Sequence, residues 1–213
     1  MTKAEVSRRQ LGAALHLYLD ECDPVSVHTL ACGGREIAGE LAKAQSASAF
    51  QFLAGYGTRR PEWSRAANHY WNSFKHASTH DGELRSDASI LSSFHDSVND
   101  GMLFVGWYDL GLAGYPLPVA AQLQTAWYIY RHSAEDDLKE VGPTLNWPPL
   151  NEARRLIGVE KHAEQKAMLR ASIRLVQEHG WVADDPRTDL SPLILPFHVP
   201  YPSARSTPLL PGM

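Results

Sequence analysis

The sequence predicts an all-α protein: an antiparallel bundle of about six helices over residues 1–183, followed by an extended proline-rich arm over 184–213. Three observations predict it. Apolar residues recur at helical spacing in segment after segment. Strand-like alternation is absent apart from a weak hint near Leu193–Val199. Seven of the fourteen prolines fall within residues 186–213, where they oppose both helix and sheet. A chain of 213 residues, 44% hydrophobic, can bury about 70% of its unfolded surface and needs no disulfide or metal to fold.

The elements follow in order. Val6, Leu11, Ala14, Leu15 and Tyr18 place one apolar face on a helix over 4–20. Asp23-Pro24 is a start signal, because aspartate caps free N–H groups and proline suits the first helical position. The helix it opens, about 24–45, carries Gly33 and Gly34, each costing about 1 kcal/mol relative to alanine. Close approach of another helix over the small patch Ala31 to Ala38 would offset that cost. A loop over 46–60 precedes a helix over 61–77 with Trp63, Ala66, Ala67, Tyr70, Phe74 and Ala77 on one face. His80-Asp81-Gly82 makes a turn. One long helix is expected over 87–110, another over 119–132, and a last one over about 150–179, jointed at Gly158 and closed by Gly180. The arm has too many large apolar groups for a disordered tail, among them Leu193, Leu195, Phe197, Tyr201 and Leu209. It is expected to pack on its own domain or on a second subunit.

Composition excludes several function classes. A net charge of −4 argues against a general electrostatic grip on nucleic acid or anionic membrane, leaving room for a local basic site. The N-terminus lacks the apolar core of a signal peptide, and no apolar run approaches the roughly 18 residues of a membrane span. A cytoplasmic protein is expected, and the excess of arginine over lysine resembles bacterial coding bias. Cys22 and Cys32 lack CxxC spacing and are read as small buried thiols. No GxGxxG, P-loop or GxSxG fingerprint is present, so no cofactor is expected.

Chemistry concentrates on the helix over 61–77. Opposite its apolar face, Arg65, His69, Asn72 and His76 form one stripe at spacings of four, three and four. Solvated faces are usually built from Glu, Lys and Arg; this one suits a cleft or a subunit seam. A histidine can exchange protons near neutral pH, a guanidinium can hold a phosphate oxygen, and an asparagine can orient either. Those are the parts of metal-independent RNA cleavage.

Asn72-Ser73-Phe74-Lys75-His76-Ala77 resembles the motif helix of the HEPN superfamily, small all-α bacterial proteins, many of them dimeric ribonucleases of defence systems. That motif is an arginine, often a polar residue after it, and a histidine four to six residues on. Asn72 and His76 match the last two, whereas Trp71 stands where the arginine belongs. The resemblance implies a homodimer with RNA or an antitoxin-type protein as partner. It implies His76 as base and Asn72 as orienting group; Arg65, on the same stripe almost two turns before the motif, is the candidate phosphate contact, and the missing arginine equally fits a catalytically degenerate member.

Two other readings stay open. His76 and His80 are four apart, and with His28 they make a candidate metal triad near Asp81, Glu83, His95 and Asp96. The absence of a complete catalytic set also fits a non-enzymatic interaction protein. His16, His132, His162, His179 and His198 are read as surface, capping or loop residues.

Overall fold

The computed structural model describes residues 1–46, 60–78, 80–132, 161–180 and 183–204, with backbone alone for 60–67. The described residues are mostly helical. They form α1 (Lys3–Leu19), α2 (Pro24–Ala44), α3 (Arg60–Lys75), α4 (Ala88–Leu91), α5 (Val98–Leu112), α6 (Val119–His132) and α7 (His162–His179). Two two-residue strands, β1 (Leu117–Pro118) and β2 (Thr188–Asp189), pair in parallel, which the helical pattern did not announce.

Local chemistry accounts for the helix ends. Thr2 and Glu5 form a reciprocal capping box at α1. The Asp23 carboxylate accepts from the N–H groups of Val25 and Ser26, with Pro24 in the first turn of α2. Gly180 closes α7 at φ 62°, a left-handed conformation that glycine adopts without strain. The long helix expected over 87–110 is broken between α4 and α5. Ser92 and Ser93 hydroxyls bond back to the carbonyls of Ser89 (3.0 Å) and Ile90 (2.8 Å), satisfying acceptors that a continuing helix would use. The expected loop at 46–60, the connection at 142–149, the joint at Gly158 and the end of the arm lie outside the described residues, apart from their edges.

The main core is built from Leu11, Leu15 and Tyr18 of α1, Val27, Ala31 and Ala38 of α2, Leu103 and Trp107 of α5, Leu123 and Trp127 of α6, and Leu169 and Val176 of α7. The α5 helix is apolar nearly all round and is buried over almost its whole length, as such a helix must be. The close approach expected at the small patch of α2 is present. A Cβ added at Gly34 would stand 2.7 Å from Leu11 Cγ, and one added at Gly106 of α5 would stand 2.5 Å from Leu11 Cδ2. Two glycines on two helices thus leave room for one leucine of a third. Ser7 adds a hydrogen bond to the Gly34 carbonyl at 2.8 Å. Cys32 is buried as expected, but Cys22 is exposed, because it sits in the turn beyond α1 rather than on a packed face.

The described part of the arm packs on α1 of the same chain. Arg8, fully buried, pairs with Asp189 (3.1 Å) and donates to the Leu193 and Pro192 carbonyls (both 2.9 Å). Its guanidinium lies over the rings of Trp107 (5.5 Å) and Tyr201 (5.7 Å). Arg9 donates to the carbonyls of Leu195, Pro196, Phe197 and Val199. Proline leaves carbonyls unpaired along an extended segment, and an arginine fork supplies several donors at once. Leu193–Val199 forms no strand. The carbonyls of Leu193, Leu195, Pro196, Phe197 and Val199 accept from arginine side chains instead of from a neighbouring ladder.

Candidate functional site

The stripe that drew attention in the sequence lies on α3. His69 and Asn72 are exposed, and so is His76, which follows the last helical residue and donates its N–H to the Asn72 carbonyl at 3.1 Å. Asn72 and His76 are therefore one turn apart at the open end of the helix. The helix stops at Lys75, two residues short of the expected limit, so Ala77 is exposed rather than part of the apolar face. The Arg65 side chain lies outside what is described.

Trp71, at the position of the motif arginine, is turned inward. Its indole N–H donates to Glu36 of α2 at 2.8 Å, and its ring packs at the edge of the core. The exposed Lys75 ammonium lies 5.5 Å from the Trp71 ring centroid. Asn68 joins the same docking face by accepting from Arg35 at 3.1 Å. The inner side of α3 presents Tyr70 and Phe74. With Phe94, they enclose the ring of His28, at centroid distances of 6.1, 5.4 and 5.4 Å and near-perpendicular planes.

His28 is completely buried. Its Nδ1 lies 2.9 Å from Asn99 Oδ1, and its Nε2 lies 3.4 Å from Cys32 Sγ. Burial pushes the Cys32 thiol up to about 12, so the sulfur keeps its proton and is not a ready nucleophile. His80 is fully exposed on the turn after α3. The structure does not gather His28, His76 and His80. Among the described residues, no three His, Cys, Asp or Glu side chains come together so as to hold a metal ion.

A second polar cluster sits where α1, α5, α6 and α7 meet. Asp100 Oδ1 accepts from the Tyr18 hydroxyl (2.6 Å) and from His162 Nε2 (2.9 Å), while Oδ2 accepts from Arg131 (3.1 Å). His162 Nδ1 lies 3.7 Å from Asp96, which also bonds Lys166. The Lys166 ammonium stands 4.0 Å from the Tyr18 ring centroid. Burial, then the Asp100 charge, pushes the Tyr18 hydroxyl well above its ordinary value, so it stays a donor. Every group here serves another group. A carboxylate holding three donors has little capacity left for a substrate, so the arrangement works as an ionic joint fastening α7 to the body.

His162, read from sequence as a surface or capping residue, thus belongs to this joint. Its partners are spread over α1, α5 and the stretch before α5, so no spacing could have found it. The one available signal was Asn99-Asp100 at the start of a mostly apolar helix, since buried polar groups require partners.

Fold and site together define a mostly helical protein in which, among the described residues, no helix is long and apolar enough to cross a membrane. Comparison of the chain with protein-family models, with curated proteins and with solved structures returned no match.

Proposed function

We propose that this is an RNA-linked, HEPN-like bacterial protein that works through the Asn72–His76 end of α3, as a homodimeric antiparallel bundle in the cytoplasm. One observation carries the reading: Asn72 and His76, the two residues that match the motif, are both exposed and one helical turn apart. His69 and Lys75 extend the same polar end with further nitrogen donors for phosphate and base edges.

The inward turn of Trp71 favours binding over cleavage, because the motif's cation is missing at its usual place. Where cleavage does occur, His76 takes the proton of the 2′-hydroxyl, that oxygen attacks the adjacent phosphorus, and the P–O5′ bond breaks to give a 2′,3′-cyclic phosphate and a 5′-hydroxyl that takes its proton from water. Asn72 orients the imidazole, and Arg65 stabilises the charged phosphorane.

The test is binding of a labelled single-stranded RNA at low and moderate salt, followed by anisotropy and by gel. The Asn72→Ala/His76→Ala variant is expected to bind about tenfold more weakly, equivalent to about 1.4 kcal/mol. Unchanged binding by that variant refutes the reading, and so does cleavage by His76→Ala at the wild-type rate.

A further inference from the structure

The α3 helix packs Tyr70 and Phe74 against one buried imidazole, and the state of that ring follows from its partners. Asn99 Nδ2 donates to the Pro24 carbonyl (3.1 Å) and to Asp96 Oδ1 (3.2 Å). These bonds fix the amide, so Asn99 Oδ1 is the atom facing His28 and must accept from Nδ1–H. Nε2 is then bare and accepts from the Cys32 thiol. Both ring nitrogens are satisfied in the neutral form alone. A second proton would point an N–H at a sulfur, a weak acceptor, in a nest of three aromatic rings with no exposed surface.

Among the described residues, no carboxylate faces the ring to hold an imidazolium. From its own helix come Cys32 and Arg35, whose positive charge adds to the cost. The α5 helix contributes the neutral Asn99. Tyr70 of α3 spends its hydroxyl on the Ser93 carbonyl at 3.0 Å. The segment between α4 and α5 contributes Phe94, and Asp96 reaches the ring only through Asn99. Burial accordingly holds the imidazole below its ordinary value.

We propose that His28 is a positioning residue whose neutral ring seats Tyr70 and Phe74, so that mild acid unseats α3 and with it the Asn72–His76 end. The regulatory meaning of this latch rests on the RNA reading of that end; the latch itself does not. The sign follows from linkage. A histidine that protonates less readily when enclosed contributes its full seating energy above its free value near 6.5, and that contribution falls as pH drops below it. One proton taken up on release shifts the seating equilibrium up to about tenfold per pH unit.

Hydrogen exchange of the intact protein, read by mass spectrometry on peptides covering 68–75 and corrected for intrinsic rates, measures that equilibrium between pH 7.5 and 5.5. Wild type is expected to open progressively toward pH 5.5 in these peptides, with α5 unchanged. His69→Ala/His76→Ala removes the exposed histidines of the helix and is expected to retain the response. His28→Phe keeps a ring and His28→Asn keeps a donor for Asn99; neither titrates, and both are expected to lose the response. A flat wild-type profile overturns the proposal, as does a response that survives in a folded His28 variant or vanishes in His69→Ala/His76→Ala. RNA binding measured in parallel separates the two readings: absence at every pH removes the RNA function, while the exchange data decide the latch.

Discussion

Truncating Arg8 to alanine is expected to destabilise the protein by about 3–5 kcal/mol, the range for removing one partner of a buried ion pair. Arg8 and Asp189 are nearly inaccessible, with side-chain exposures of 0% and 3%. Alanine at position 8 leaves the Asp189 carboxylate buried with, among the described residues, only Ser191 to serve it. The carbonyls of Pro192 and Leu193 lose their arginine donor, but they lie toward the surface, where water can replace it, so the buried pair dominates. Burial pulls the guanidinium below its ordinary value while Asp189 opposes the shift, and arginine remains charged through neutral pH. For a domain of this size each kcal/mol moves the melting temperature by about 2–4 °C, so a drop of roughly 6–20 °C is expected. Thermal and urea unfolding measure it, and limited proteolysis should show cleavage within residues 186–204 ahead of the helices. The Arg8→Met/Asp189→Leu variant replaces the pair with apolar groups and should recover most of the loss. A cost below about 1 kcal/mol for Arg8→Ala would refute the reasoning. So would an Arg8→Met/Asp189→Leu protein no more stable than Arg8→Ala.

Gly33 and Gly34, adjacent on α2, should respond with opposite signs. Gly33→Ala meets only the movable end of Gln10, at 3.2 Å, and should gain up to about 1 kcal/mol from helix propensity. Gly34→Ala meets Leu11 at 2.7 Å, and overpacking of about 1–3 kcal/mol should outweigh the same gain. Urea midpoints for the two variants decide this, and equal shifts would count against the packing. A maleimide reagent on the native protein should modify Cys22 and leave Cys32 unmodified until the chain unfolds, with rates differing by at least about a hundredfold. Mass spectrometry of the labelled peptides reads it directly, and comparable rates would show that the His28 nest opens readily.

Much of the fold was legible because its signals are local. Asp23-Pro24 and Gly180 act through their own backbone neighbourhood, so start and stop could be read within a turn. The 3.6-residue period needed only one face to be apolar, and α6 falls at its expected limits of 119 and 132. The paired glycines of α2 announced close packing, since their cost in a helix needs compensation. The misplaced helix at 87–110 shows the limit of such reasoning. Leu91, Phe94 and Val98 keep helical spacing, yet Phe94 is used to cover His28 on α2, and side-chain bonds from Ser92 and Ser93 end the turn there.

The sequence by itself determined the helical character of most described segments, where several of them begin and end, and that Asn72 and His76 stand one turn apart at the polar end of one of them. Tertiary structure alone decided what those side chains meet. Trp71 reads in sequence as a missing arginine, and only packing reveals that its indole is turned to Glu36. His28 is one of ten histidines in the chain, and only enclosure by three rings and two hydrogen bonds makes it the seat of α3. Tyr18, Asp100 and His162 are separated by 82 and 62 positions, and Arg8 by 181 positions from Asp189. Charge and burial act through space, so partners that far apart along the chain become visible only once the helices have packed.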